Sequence, residues 1–274
     1  MSFINDIKRA YNQANPVEKL IYIQVATFIP FLIARNFIIN WFTLKPSLEV
    51  FLTQPWTILT YGFFHGSFIH VLFNLLFLYY VGNLFLNFFT TKQFINYFLF
   101  GILAGGIAFL LMAPPSFLIG SSAGIMAVLV GLTTKIPNYE IRLNLIGGVK
   151  LWVITAIYVG VSIVGLDGTN PGGNMAHLGG ALIGFLYTKQ LEKGNDIGRF
   201  LEMFINSIAN LFKPKNKKPL RTVHKKNNIK RKPSYKEENA KQKKIDGILD
   251  KISKSGYESL TKEEKEFLFK VGKK

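Results

Sequence analysis

The stretch Gly120-Ser121-Ser122-Ala123-Gly124 decides how this chain is interpreted, because it places a serine between glycines at the start of a long apolar run. Pro114 and Pro115 lie just before it and interrupt helical structure, so the apolar run is expected to form a new helix. A polar residue at the head of such a helix needs a partner or a function. Ser122 is therefore the candidate reactive residue.

The composition separates the chain into an apolar part and a basic part. Of its 274 residues 49% are hydrophobic, yet the formal net charge is +17. Residues 192–274 carry 23 of the 33 Lys and Arg residues. This segregation predicts a membrane-embedded region in residues 1–191 followed by a charged tail. The sequence contains no cysteine, which excludes a disulfide framework and a thiol nucleophile.

Six apolar runs in residues 1–191 approach the ~20 residues needed to cross ~30 Å of hydrocarbon. They are Leu20–Ile39, Phe68–Phe89, Phe94–Met112, Phe117–Thr133, Gly147–Leu166 and Met175–Leu191. Because backbone groups in lipid must pair within a segment, each run is predicted to be a helix. The sequence thus predicts an all-α membrane protein with six transmembrane helices.

Basic residues in the connections predict the orientation of these helices, because Lys and Arg concentrate on the cytoplasmic side. They lie before the first helix, in the second and fourth connections and in the tail, including Lys8, Arg9, Lys19, Lys92, Lys135, Arg142 and Lys150. Both termini are therefore expected in the cytoplasm, and a bacterial inner (cell) membrane fits this pattern. The second, fourth and sixth helices then start from the outer side.

Polar residues recur near the outer starts of these three helices. His70 and Asn74 are four residues apart on the second helix and share a face, while Ser122 opens the fourth and His177 lies early in the sixth. Groups of this kind are costly in hydrocarbon unless they pair, and their default interpretation is functional. A hydroxyl within hydrogen-bond reach of an imidazole is the minimum for an activated serine.

Small residues predict that the fourth and sixth helices pack closely. Ala123, Ala127 and Gly131 are spaced by four on one, and Gly180 and Gly184 are spaced by four on the other. Residues of this size at this spacing let helix backbones approach each other. Close packing would bring the serine of one helix to the histidine of the other.

Together these motifs resemble the rhomboid family of intramembrane serine proteases. The resemblance covers roughly residues 50–191 and is carried by His65, His70-Val-Leu-Phe-Asn74, Gly120-Ser121-Ser122-Ala123-Gly124 and Asn174-Met-Ala-His177-Leu-Gly-Gly180-Ala-Leu-Ile-Gly184. Each motif alone is a weak signal, but their order and their positions on three predicted helices are specific. The resemblance implies a six-helix rhomboid-like bundle.

The resemblance also implies roles for individual residues. Ser122 resembles the family's nucleophile and His177 its general base, while His70, Asn74 and the backbone N–H of Ser122 resemble its oxyanion hole. Four glycines are expected to be packing residues, namely Gly120, Gly124, Gly180 and Gly184.

Two further positions could support the site. Many family members carry an aromatic residue one turn after the serine, where this chain has Met126, whose thioether can still press on the edge of the histidine ring. Trp152 on the fifth helix is compatible with a lateral gate for substrate and equally with an aromatic side chain that faces lipid.

Other hydrolytic chemistries are excluded by the residues present. No acidic residue lies in the middle of an apolar run, so neither an aspartyl pair nor an H-E-x-x-H zinc motif is available there. No metal and no cofactor are therefore expected. Alone, a Gly-x-Ser-x-Gly pattern is weak and an intramembrane histidine is commonly a packing residue, so the prediction rests on their combination.

The predicted function is an intramembrane serine endopeptidase that cleaves transmembrane helices of single-pass or multi-pass membrane proteins. The alternative is a non-catalytic rhomboid-like scaffold that binds transmembrane clients in the lipid bilayer. The Ser122 and His177 pair favours the enzyme. A transporter is less favoured, because no charged residue lies in the middle of an apolar run and no pair of broken helices is found.

The tail is predicted to be a small cytoplasmic helical region. Residues 192–212 have an apolar stripe typical of an amphipathic helix at a membrane surface, and residues 213–244 resemble a basic disordered linker. This charge could attract anionic lipids, and no nucleic acid partner is expected. Residues 245–274 regain helical periodicity and predict a short helical hairpin with a docking or regulatory role. Gly256 is predicted to end its first helix, and Thr261-Lys-Glu-Glu264 is predicted to form a capping box that opens the second.

Overall fold

The computed structural model describes residues 3–112, 114–143, 147–201, 203 and 235–272. The chain is mostly helical and divides into two compact units, Met1–Lys213 and Pro214–Lys274. The helices of the first unit are α1 (Phe3–Gln13), α2 (Pro16–Ile33), α3 (Arg35–Phe42), α4 (Leu48–Thr53), α5 (Thr57–Thr60), α6 (Phe68–Leu86), α7 (Thr91–Met112), α8 (Ser122–Lys135), α9 (Leu151–Val164) and α10 (Pro171–Glu192).

Within the described residues, three helices are long and apolar enough to cross a membrane, namely α2, α6 and α7. Ser122–Lys135 and Leu151–Asp167 are shorter apolar helices. The predicted character of the fold, mostly helical with membrane-spanning candidates, is therefore found. The count of six spans stays a prediction.

The first apolar run does not form one helix as predicted. Asn15 and Glu18 form a capping box at the start of α2, which then ends at Ile33, inside the predicted range Leu20–Ile39. Pro30 lacks a backbone N–H and crowds the preceding turn. Ala34 leaves the helical conformation, and the chain restarts as α3.

The fourth helix begins later than predicted, at Ser122 rather than Phe117. The preceding segment is extended, because Leu118 exchanges two backbone hydrogen bonds with Leu44, of 2.8 and 3.1 Å. The nucleophile candidate is consequently the first residue of α8. The sixth helix begins earlier than predicted, at Pro171, because the side chain of Asn170 accepts a hydrogen bond from the first turn.

A small β-hairpin stands where the sequence analysis predicted only helices and loops. Its antiparallel strands are β1 (Glu140–Leu143) and β2 (Gly147–Lys150), so the predicted start of the fifth helix at Gly147 was wrong. Gly147 adopts φ +86°, which a helix cannot accommodate, and a second glycine follows it. The fifth helix, α9, begins at Leu151 instead.

The core of the first unit lies where α8 packs between α7 and α10. One face of α8 meets Gly101 and Gly105 of α7, and another meets Gly180 and Gly184 of α10. The cytoplasmic end predicted for these helices is filled by aromatic side chains, including the stacked rings of Tyr97 and Tyr187. α8 is thus held on two sides with little room to shift.

The second unit contains α11 (Tyr235–Ser255) and α12 (Lys262–Gly272). The predicted stop at Gly256 is confirmed by its φ of +76°, and the predicted capping box of Thr261 and Glu264 is confirmed by hydrogen bonds of 2.8 and 3.3 Å. α11 starts at Tyr235, however, inside the range 213–244 predicted to be a disordered linker. Within the range 192–212 predicted to be an interfacial helix, residue 202 and residues 204–212 lie outside the described residues.

Candidate active site

The position of Ser122 depends on the backbone at Gly120, two residues before it, which packs closely against its neighbours at the start of α8. Gly120 adopts φ +122°, a conformation that favours glycine, and its N–H donates to the carbonyl of Tyr61 at 2.9 Å. A Cβ at this glycine would lie 2.6 Å from the ring of His70. Because the first N–H groups of a helix have no intrahelical acceptor, the backbone N–H of Ser122 is a donor that a ligand could use.

The predicted close packing of α8 and α10 is found. A Cβ at Gly180 would collide with the carbonyl oxygen of Ala123, and a Cβ at Gly184 would collide with that of Ala127. The two backbones therefore touch directly along two turns. Gly124 is equally constrained on another side of α8, where a Cβ would lie 2.8 Å from the ring of Phe98.

This packing brings the predicted pair together. His177 lies in the second turn of α10, and its Nε2 is 2.7 Å from the Oγ of Ser122. Both residues are half-buried, so the pair is sheltered but reachable. The distance is that of a direct hydrogen bond, the arrangement that a nucleophile and its base require.

Two residues of α9, neither of them predicted from the sequence, contact the imidazole of His177. The ring of Tyr158 packs edge-on against the imidazole at a centroid distance of 5.4 Å. The Oγ of Ser162 lies 3.2 Å from His177 Nδ1. The available signal was their spacing of four, which puts two polar groups on one face of an otherwise apolar helix.

His70 and Asn74, the predicted oxyanion-hole residues, lie close to the candidate nucleophile Ser122. In the structure, the Asn74 amide donates elsewhere. His70 packs against Gly120, two residues before Ser122. The side-chain amide of Asn74 donates to the carbonyl of His70 at 2.8 Å, and its oxygen lies 3.4 Å from the Oγ of Ser121. Since an amide nitrogen carries two hydrogens, one donor of Asn74 is left for a ligand.

A buried polar cluster supports the same end of α8. The Oγ of Ser121 donates to the side-chain oxygen of Gln24 at 3.0 Å and lies 3.3 Å from Nε2 of His65. All three side chains are fully buried. His65, which the resemblance included without assigning it a role, therefore holds the residue that precedes the candidate nucleophile.

An apolar groove of about 400 Å³ runs between α6 and α9. Asn74 and Tyr158 line it, so it reaches the surroundings of both site helices; the other lining residues are Phe73, Phe77, Ile154, Ile157 and Val161. Trp152 is half-exposed at the start of α9 and is not among these residues. Its predicted role as a gate stays a prediction.

Met126 is fully buried in the core. The aromatic ring against the imidazole comes from α9 rather than from α8, where the sequence analysis looked for base support. Within the described ranges, no group of three or more metal-ligating side chains is arranged to hold an ion.

Comparison with known families assigns the chain. The model of the rhomboid domain matches residues 52–193, just over half of its length. The protein belongs to the rhomboid family. The match covers α6 to α10 and therefore every residue of the candidate site except Gln24. Membership and the long apolar helices together favour a membrane location for this rhomboid protein.

Two further matches concern parts of the rhomboid chain. RHOMBOID-like protein 4 of Arabidopsis thaliana is 28% identical over 136 residues, which are 48% of this chain and 33% of the relative. The chain thus matches about a third of that relative's length. A model of a family of unknown function matches residues 227–274, the region that contains α11 and α12.

Proposed function

We propose that this rhomboid protein is an intramembrane serine endopeptidase in which Ser122 is the nucleophile and His177 the general base. The observation that carries the proposal is the 2.7 Å contact between Ser122 Oγ and His177 Nε2. A serine is a weak nucleophile unless an adjacent base removes its proton. Membership of the rhomboid family supports the same class of activity.

The reaction proceeds through an acyl-enzyme. Ser122 Oγ attacks the scissile carbonyl carbon while its proton passes to His177 Nε2, and the carbonyl π electrons move onto the oxygen. Collapse of this tetrahedral intermediate breaks the C–N bond, and the imidazolium returns the proton to the leaving amine. Water then attacks the ester with His177 as base, which releases the new carboxylate and restores the serine.

The oxyanion of the intermediate is stabilised by the Ser122 N–H, His70 and Asn74. The first lies at the positive end of the α8 dipole, where developing negative charge is favoured. The amide of Asn74 bonds the carbonyl of its own helix in the free protein and turns toward the oxyanion when a substrate is bound. One such donor lowers the barrier by about 3 kcal/mol.

The substrate is a transmembrane helix of another membrane protein, single-pass or multi-pass, which reaches the dyad through the groove between α6 and α9. The apolar lining of this groove suits a lipid-soluble segment. We further propose six membrane spans, with both termini in the cytoplasm of a bacterial inner membrane and the basic tail against anionic lipids. These assignments rest on hydropathy and on the distribution of Lys and Arg.

The second candidate is a non-catalytic scaffold that binds transmembrane clients in the same groove. The apolar groove would serve either function, since binding needs no nucleophile. Reactivity of Ser122 separates the two.

The test uses the purified full chain in detergent and a fluorophosphonate probe, with mass spectrometry to map the labelled residue. We expect labelling at Ser122 that is abolished in Ser122→Ala and reduced at least about a thousandfold in His177→Ala, as in other serine hydrolases that lose their base. Thr134→Ala is the matched control, because the Thr134 hydroxyl bonds to the carbonyl of Val130 in its own helix. Folded protein that is not labelled, or is labelled elsewhere, would favour the scaffold.

A further inference from the structure

The second nitrogen of His177 has a defined partner. The Oγ of Ser162 lies 3.2 Å from Nδ1 of His177, and Ser162 is fully buried. The same hydroxyl donates to the carbonyl oxygen of Tyr158 at 3.0 Å. Because a serine carries one hydroxyl hydrogen, this donation leaves its oxygen as an acceptor toward the imidazole.

These contacts fix the direction of a chain of hydrogen bonds. This series of hydrogen bonds ends at the backbone carbonyl of Tyr158, which can only accept a hydrogen bond. Ser162 therefore donates to Tyr158 and accepts from Nδ1–H of His177. Nε2 is then the unprotonated nitrogen and accepts from Ser122 Oγ at 2.7 Å, as a general base must. The opposite direction would put a hydrogen on Nε2 and leave it unable to remove the serine proton.

The position of Ser162 also suits the charged form of the base. Ser162 lies in the last turn of α9, which ends at Val164. The carbonyl end of a helix carries a partial negative charge that favours a nearby cation. When His177 becomes an imidazolium during attack, Nδ1–H still points at an acceptor that lies in this field.

We infer that Ser162 is the positioning residue of the catalytic base, holding His177 in the tautomer and orientation that the reaction needs. It takes the place that a carboxylate occupies in a Ser-His-Asp triad. Ser162 does not touch substrate, so it acts only through His177. The inference rests on the proposed function for its effect on rate, but its effect on the tautomer stands independently.

The first experiment reads the tautomer directly. The chain contains four histidines, so uniform ¹⁵N-histidine labelling gives few signals, and His177→Ala identifies the one of interest. In the neutral ring of the wild type we expect protonated Nδ1 and unprotonated Nε2 in the ¹⁵N spectrum. In Ser162→Ala we expect a mixture of both tautomers, and in Ser162→Thr, which keeps the hydroxyl, the wild-type pattern.

The second experiment reads the rate of fluorophosphonate labelling on the same samples. A hydrogen bond to a group that becomes charged is a strong one, so Ser162→Ala should label about ten- to a hundredfold more slowly than wild type. Ser162→Thr should restore most of the rate. Thr134→Ala, which loses a half-buried hydroxyl that bonds to the carbonyl of Val130 in its own helix, should label at the wild-type rate.

Two results would overturn the inference: a wild-type ring protonated on Nε2, or a Ser162→Ala variant with unchanged tautomer and unchanged labelling. A wild type that shows the expected tautomer but no labelling refutes the proposed protease and leaves the positioning contact intact. The two failures are therefore distinguishable on the same material.

Discussion

Gly180 sets how closely α10 approaches Ser122, the proposed nucleophile. Because Gly180 has no Cβ, the carbonyl oxygen of Ala123 can occupy the space beside it. Ala123 directly follows Ser122 in α8. Gly180→Ala should therefore push α10 away from α8, lower stability by about 1–3 kcal/mol and slow labelling of Ser122 strongly. Thermal unfolding and the labelling rate measure the two effects.

Gly160 provides the matched control at this scale. It also lies inside an apolar helix, α9, but a Cβ there would meet no atom of the described residues within 4 Å. Gly160→Ala should be neutral or stabilising, because alanine is the better helix former by about 1 kcal/mol. Equal behaviour of Gly180→Ala and Gly160→Ala would show that the α8 and α10 contact does not control the dyad.

The residues of the dyad could be predicted from sequence, whereas those that support it could not. Ser122 and His177 stand in motifs whose glycine spacing already indicates that their helices touch. The contact of Ser162 with the imidazole depends on how α9 is rotated and shifted against α10, and the apolar sequence of α9 does not fix that rotation. Contacts between side chains of two different helices can therefore be identified only from the three-dimensional structure.

At the scale of elements, the groove between α6 and α9 should separate large substrates from small probes. Ile157 lines the groove and is 62% exposed. Ile157→Trp should fill it and lower cleavage of a transmembrane test substrate by at least about tenfold, about 1.4 kcal/mol in barrier. Labelling by a small fluorophosphonate, which does not need the groove, should be unchanged.

Leu182 of α10 is the matched control for this substitution. It is 60% exposed and apolar like Ile157, but it does not line the groove. Leu182→Trp should leave both activities unchanged. If it lowered cleavage as much as Ile157→Trp does, substrate access would not run between α6 and α9.

The start of α12 is expected to respond to acid. A hydrogen bond from the backbone N–H of Thr261 and the ammonium of Lys251 hold the pKa of Glu264 below its ordinary value of 4.5. Because the pKa is lowered in the folded state, the stabilisation is complete above pH 4.5 and is lost as the pH falls through the folded-state pKa.

Glu264→Gln isolates this contribution. At neutral pH we expect faster amide exchange across α12 in the variant than in the wild type. The difference should shrink below pH 4 as the wild-type carboxylate becomes protonated. Each measured rate is divided by the intrinsic rate of its own sequence at that pH, so that the comparison reports the cap. A difference that stays constant down to pH 3 would contradict the charge-based account.

Element boundaries show where sequence patterns are insufficient. The capping box of Thr261 and Glu264 was predictable, because its hydrogen bonds lie within one turn. The late start of α8 was not, because it depends on pairing between Leu118 and Leu44, which are far apart in sequence. The sequence stays apolar from Phe117 into α8, so its hydropathy does not reveal that the backbone is extended before Ser122 and helical after it.

At the scale of the whole molecule, the rhomboid match ends at residue 193, but the packing of the first unit extends beyond it. The hydroxyl of Tyr187 donates to Asp196 at 2.6 Å, and the same carboxylate accepts from the N–H of Gly198 at 3.0 Å. Asn96 donates to the Tyr187 hydroxyl in turn. The segment just after α10 therefore holds the α7 and α10 contact in place.

Two truncated chains test where the functional unit ends. A chain of residues 1–213 keeps Asp196 and all of the first unit, so we expect wild-type labelling of Ser122 and an unchanged Tm. A chain of residues 1–193 leaves the buried Tyr187 hydroxyl without its charged partner, a loss of about 1.5–3 kcal/mol that should lower Tm by several degrees. Slow labelling in the 1–213 chain would instead make α11 and α12 part of the catalytic machinery, because only they and the segment before them are removed. Equal Tm values for the two truncated chains would show that the Asp196 contacts contribute no net stability, since those contacts and residues 194–213 are all that distinguish them.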